Sequence, residues 1–382
     1  MPVTSQLICS TLADLVSINS VNPAYEGGVS EAAVLRYLET FFGQLGVETW
    51  TQEVFPGRSN LIARLPGRNA SRRVLLEAHM DTVSVTGMTI PPFEPRIDQG
   101  RLYGRGACDT KAGLAGMMHA LAALKADGTT PPCDIWLAAV VDEEFSYRGV
   151  LKLCEGLTGH AAVVAEPTQL RLVVASKGVL RWRIRVHGRS AHSSKPHLGV
   201  NAITQMARLI LALDDDRTRL SATNDPLLGP ATLSVGVIQG GVQVNVVPDA
   251  CVIEIDRRLL RGETVTEVLW HYQRLIDRLA ASQPGFSASM DAPLLIDEAL
   301  DTPVNLSAVQ LAGELLRNLG LSGDPSGVPF GSDASKLSRH GVPSMVFGPG
   351  SIDQAHAADE YVDIQQVLVA YEFYRSFIQR FE

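Results

Sequence analysis

The feature that most restricts the fold is a set of near-continuous apolar runs: Arg73–Ala78, Ile135–Val141, Ala161–Ala165 and Pro343–Phe347. A strand with one face in water alternates polar and apolar residues. These runs do not, so each must be covered on both faces. The apolar spacing over Ala112–Ala126 and Val304–Leu319 predicts helices to provide that cover. Two earlier helices, Leu7–Ile18 and about Ser30–Leu45, are separated by the turn Asn19-Ser20-Val21-Asn22-Pro23. The expected class is α/β, with a sheet sandwiched between layers of helix.

The character changes near Ser176. From Gly178 to Val186, Val179, Leu180, Trp182, Ile184 and Val186 are interleaved with Arg181, Arg183 and Arg185, as in a strand with one wet face. A helix (Val200–Leu213), two strands (Thr232–Ile238, Ala250–Leu259) and a helix (Glu263–Ala281) follow. This reads as an inserted α+β domain over 177–289. It interrupts a discontinuous α/β domain made of 1–176 and 290–382. A chain of 382 residues is long for a single core, which favours two domains.

Composition narrows the function classes. The formal charge of −8, from 33 basic and 41 acidic residues, argues against nucleic acid and against an anionic membrane surface. No uncharged apolar run approaches the roughly 18 residues of a membrane span. Cys9, Cys108, Cys133, Cys154 and Cys251 are odd in number and lack CxxC spacing, which argues against a disulfide framework and suits a reducing cytoplasm. The first residues lack the basic start and long apolar core of a secretory signal.

The chemistry lies where the apolar runs end. His79-Met80-Asp81 follows the first, Asp142-Glu143-Glu144 the second, and Glu166-Pro167 the third. His356 closes a glycine- and proline-bearing loop after the fourth. In α/β sheets, the ends of strands are where sites form. Residues two apart on extended backbone face alike, so Asp81 can hold one nitrogen of His79 while the other ligates. Gly104-Arg105-Gly106-Ala107-Cys108-Asp109-Thr110-Lys111 resembles a phosphate loop, but its lysine follows Asp-Thr rather than a glycine. A carboxylate there would repel phosphate, and Asp109 is better read as a bridging ligand. Neighbouring side chains diverge, so Glu144 can face a metal while Glu143 faces substrate as a general base. Two imidazoles and three carboxylates suit two divalent ions, with zinc the default and cobalt or manganese compatible. They leave about one positive charge, enough to hold a hydroxide. That points to a hydrolase.

The ordered set His79-x-Asp81, Gly106-x-x-Asp109-x-Lys111, Glu143-Glu144, Glu166-Pro167-Thr168 and late His356 resembles the M20 metallopeptidases over almost the whole chain. Within that family, Arg189–Ser194 through Gly199–Ile203, and Phe347–His356 followed by Asp359-Glu360-Tyr361, look most like the acetylornithine deacetylases, with the succinyl-diaminopimelate desuccinylases close by. Gly331-Ser332-Asp333-Ala334 is nearer to the general family pattern. The resemblance implies a zinc-peptidase-like α/β catalytic domain with an inserted ferredoxin-like lid that also forms a homodimer. It implies that His79 and Glu166 hold one ion, Glu144 and His356 the other, and that Asp109 bridges. Glu143 would be the general base and Asp81 would clamp His79. His192 would reach the other subunit's site to stabilise the oxyanion. Asn245, Arg258, Gly331 and Ser332 would contact the substrate's carboxylate end. The implied reaction is hydrolysis of an N-acyl amino acid, N-acetylornithine first. A desuccinylase, a broader aminoacylase, a dipeptidase and a catalytically silent metal-binding protein are the alternatives.

Overall fold

The computed structural model describes residues 3–382. The chain divides into two compact units. One comprises the chain up to Val174 together with Thr302–Ser326 and Ser332–Glu382; the other comprises Ala175–Asp301 and Gly327–Gly331.

The first unit is α/β. Its sheet includes, in order, Glu48–Phe55, Arg58–Leu65, Cys133–Val140, Asn69–His79, Ala161–Val164 and Ser344–Val346. Four central strands are parallel, in register His79 with Val140, Glu77 with Val164, and Val346 with Val164. Their carboxyl ends therefore lie along one edge of the sheet. Every residue from Val74 to His79 is buried, as expected of a strand covered on both sides. The cover includes the helix Lys111–Ala126, apolar on all sides and buried from Lys111 to Leu124, which packs on Ser5–Ser17 and Ile364–Arg380. Gly113 lets this helix approach the strand end, since a Cβ there would lie 2.5 Å from that of Ala165.

The second unit is α+β. Gly178–His187, the helix Ala202–Ser221, Thr232–Gly240, Ala250–Leu259, the helix Val265–Ser282 and Ala288–Met290 follow one another as βαββαβ. The antiparallel order is Thr232–Gly240, Ala250–Leu259, Gly178–His187, Ala288–Met290, which is the ferredoxin-like arrangement. Leu180, Trp182, Ile184 and Val186 are buried with residues of both helices. The arginines between them explain the alternation: Arg181 pairs with Asp256 at 2.8 Å, Arg183 with Glu254 at 2.6 Å and Arg185 with Asp291 at 2.7 Å. Residues 290–301, expected with the α/β part, belong to this unit because Leu295–Asp297 pairs with Arg181–Val179. Among the described residues, no helix is long and apolar enough to cross a membrane. All five cysteines are free.

Candidate metal centre and active site

The parallel register delivers the candidate ligands to one place. His79 is the last residue of its strand, and the Asp142–Glu144 loop leaves the neighbouring strand beside it. Glu166 follows the strand on the other side, and the loop after Ser344–Val346 carries His356. Asp109 precedes the helix Lys111–Ala126. Its two oxygens face different imidazoles: Oδ1 is 3.1 Å from His79 Nε2 and Oδ2 is 3.3 Å from His356 Nε2. His356 Nε2 also lies 3.2 Å from a Glu144 oxygen. Potential ligand atoms of His79, Glu143 and Glu166 fall within 4.8 Å of one another, and so do those of His79, Asp109 and Glu144.

Two features fit divalent cations. Donors held about 2.0–2.2 Å from one ion at tetrahedral angles sit about 3.3 Å apart, close to the separations around Asp109. The charge balance is the other feature: four carboxylates, Asp109, Glu143, Glu144 and Glu166, converge on two histidines. Burial, and then the neighbouring carboxylates, pushes Glu166 far above the usual range, and Glu144 up to about 6. Burial also raises Glu143 well above it. Hydrogen bonds to Asp109 and Glu144 raise His356 to about 10. A buried cluster with this acid excess calls for cationic counter-charge.

His79 turns one nitrogen to Asp81 and the other to Asp109, as the sequence predicts, but the Asp81 atom that bonds it differs. Nδ1 meets the backbone carbonyl of Asp81 at 2.9 Å, while the Asp81 carboxylate is 3.6 Å away, too far for a hydrogen bond. That carboxylate instead accepts from the backbone N–H of Glu143 at 3.1 Å and of Glu144 at 3.2 Å. The main chain clamps the histidine, and the side chain of Asp81 holds the acid loop. His356 adopts φ +60°, a left-handed conformation uncommon outside glycine.

The glycine-rich loop does bind an anion, but the anion belongs to the chain. The Glu360 carboxylate, fully buried, accepts from the N–H groups of Gly106 (3.1 Å), Cys108 (2.8 Å) and Asp109 (3.1 Å) and from Arg105 Nη1 (2.6 Å). This is a nest of backbone donors filled by a side chain. Cys108 is buried, and burial raises its thiol pKa, which accords with a packing neighbour rather than a nucleophile. Lys111 Nζ donates to the carbonyls of Leu15 and Ile18, tying the end of the first helix to this loop.

Behind His79 lies a second acid pair. Burial, then the charge of Asp333, drives the Glu77 pKa far up, and burial also raises Asp333. Apart from one another, neither carboxyl group has a hydrogen-bond partner among the described residues. Folding thus favours the protonated pair. Its contribution to stability is complete below the ordinary carboxylate range and is lost as pH rises toward and beyond neutrality. Asp333→Asn, which supplies an N–H to Glu77, should flatten the fall in Tm between about pH 5 and 8. Thermal melts of both proteins in chelator would check this, and parallel curves would refute it.

The remaining candidates belong to the second unit, apart from Ser332. His192 and Asn245 are exposed, and His192 Nδ1 shares a 2.8 Å hydrogen bond with Ser194 Oγ. Arg258 pairs with Asp256 at 2.8 Å, whereas Arg257 is buried and pairs with Glu263 at 2.6 Å. Gly331 is half-buried. Ser332 is buried at the start of the helix Asp333–Arg339, where its carbonyl accepts from Lys336 Nζ at 3.1 Å.

The profile of peptidase family M20/M25/M40 matches residues 75–380. The chain belongs to this family. An acetylornithine deacetylase of Myxococcus xanthus is 33% identical over 317 residues, covering 81% of this chain and 80% of that protein. The aminopeptidase PepT of Bacillus cereus superposes with a TM-score of 0.83 at 23% identity, over 99% of this chain and 98% of that one. The YXEP protein of Bacillus subtilis, described as a dinuclear metal-binding peptidase of the M20 family, gives 0.75 at 17% identity, covering 98% and 97%. As an M20/M25/M40 member, the chain is a metal-dependent hydrolase of amide C–N bonds.

Proposed function

We propose that this M20 hydrolase removes the acyl group from N-acyl amino acids, N-acetylornithine first, at a centre of two divalent ions. The observation that carries this reading is the convergence of Glu143 with two histidines and three further carboxylates at the carboxyl ends of parallel strands. Asp109 would bridge the ions through its two oxygens. His79 and Glu166 would complete one site, and Glu144 and His356 the other. The ions, zinc by donor type with cobalt or manganese compatible, would polarise the scissile carbonyl and acidify a water.

The protein's own groups direct the reaction. Glu143 takes the attacking water's proton and delivers it to the departing amine nitrogen as the C–N bond breaks. Its main chain is anchored on Asp81, so the base and the His79 loop keep a fixed relation. Asn245, Arg258, Gly331 and Ser332 would address the substrate's carboxylate end. An arginine fork matches that group.

His192 would serve the oxyanion of the other subunit in a homodimer. The support for two copies is an apolar sheet edge: Thr232–Gly240 is the last strand of its sheet, and within it Val237 is 41% and Ile238 54% exposed. The name of the Myxococcus relative favours acetylornithine, while the peptidase family that the chain belongs to leaves peptides as the second reading.

The test is amine release by the zinc-loaded protein from N-acetylornithine, N-succinyl-diaminopimelate, other N-acyl amino acids and di- and tripeptides. We expect preference for N-acetylornithine, from protein that sediments as a dimer. Preference for peptides would overturn the substrate, a monomer would overturn the role of His192, and inactivity with both ions bound would favour the silent metal-binding reading.

A further inference from the structure

Asn22 lies in the turn between the first two helices, far in sequence from any candidate ligand, yet it is fully buried. Its Nδ2 donates to Asp81 Oδ2 at 2.8 Å and to Asp142 Oδ1 at 2.9 Å, and its Oδ1 accepts from Ala24 N–H at 3.0 Å. This pattern fixes the amide's orientation. The reverse would point an oxygen at two carboxylates and an N–H at another N–H.

Each acid that Asn22 joins controls one loop of the site. Asp81 holds His79 through its carbonyl and the N–H groups of Glu143 and Glu144 through its carboxylate. Asp142 sits at φ +67°, at the head of the acid loop, where Arg58 Nη2 (3.3 Å) and Ser146 Oγ also bond it. Arg58 is in turn held by both oxygens of Glu31, at 2.8 and 2.5 Å. The segment carrying Asn22 is zipped onto the His79 loop by Asn22 N–H to Thr82 O (2.9 Å) and Thr82 N–H to Ser20 O (3.1 Å). Tyr25 reaches across to the carbonyl of Glu144 at 2.6 Å.

We propose that Asn22 is a positioning residue of the site, locking the loop that carries Glu143 and Glu144 against the loop that carries His79. The inference rests on the roles given above to those three residues. Two buried carboxylates meeting at close range repel, and a neutral side chain with two N–H donors joins them without adding charge. Groups that orient ligands from behind change metal affinity or activity by about 10–100-fold when removed.

Asn22→Ala and Asn22→Asp separate this role from packing. Aspartate keeps the shape but replaces the donors with a third carboxylate, so it should be at least as damaging as alanine. The expected result is folded protein with zinc affinity, measured by competition with a chromophoric chelator, lowered about 10–100-fold. The visible absorption of the cobalt-loaded form should change, and kcat should fall by a similar factor with KM nearly unchanged. Folded variants with wild-type zinc affinity, cobalt spectrum and kcat would overturn the proposal. Loss of the fold in both variants would overturn it too, assigning Asn22 to the scaffold. A wild-type protein that binds both ions but hydrolyses nothing in the panel would refute the functional reading alone, because affinity and spectrum would still judge Asn22.

Discussion

Glu143→Gln should lower kcat by about 10²–10⁴-fold, with metal content unchanged. The substitution preserves shape and removes the ability to accept a proton. The geometry makes this test decisive, since a Glu143 oxygen falls within the same 4.8 Å group as His79 and Glu166. By position alone the side chain could ligate or act as a base. A ligand lost at this site would empty or weaken it, whereas a base lost would stop proton transfer and leave binding intact. Elemental analysis of the purified variant beside its kcat separates the two. Loss of an ion equivalent would transfer Glu143 to the ligand set.

Glu360→Ala should destabilise the protein by about 3–5 kcal/mol, the usual consequence of stranding one partner of a buried ion pair. Arg105 and Glu360 are 3% and 1% exposed, so neither charge has water to fall back on. Alanine would also orphan the N–H groups of Gly106, Cys108 and Asp109. Asp109 is the last of these residues, so metal affinity should fall together with stability. Glu360→Gln retains acceptor capacity and should be milder on both counts. Urea denaturation and zinc titration measure the two effects. A loss under about 1 kcal/mol would mean that the nest holds its shape unaided.

Much of this architecture is legible in the sequence, for identifiable reasons. Val74–Ala78, Ile135–Val141, Ala161–Ala165 and Pro343–Phe347 announce themselves because strands buried on both faces cannot afford polar alternation. The residues at their ends, His79, Glu143, Glu144, Glu166 and His356, follow from that pattern, and the structure brings them together with Asp109. The edge strand Glu48–Phe55 is only half-covered and mixes polar with apolar residues, so no clear period marks it. The helix Ile364–Arg380 is rich in Ile, Val, Tyr and Phe, whose local preference is for strands; packing on Lys111–Ala126 overrides it. Asn22 and Glu360 leave no local trace. Asn22 reaches Asp81 across 59 residues and Glu360 reaches Arg105 across 255, and a lone buried polar residue looks like any loop residue until the chain is folded.

The nest around Glu360 also sets an order of events during synthesis. His79, Asp109, Glu144 and Glu166 leave the ribosome well before His356 and Glu360, and chains are made at roughly 5–20 residues per second. Until the last of these has been added, the glycine-rich loop has no anion to wrap, and Asp109 stands at the end of an unanchored turn. Four carboxylates and one histidine can gather earlier, but the side chain that closes their loop arrives four residues after the final candidate ligand. Completion of the candidate metal centre is therefore tied to synthesis of residues 356–360, and a chain stalled before residue 356 carries an acidic cluster without the means to finish it.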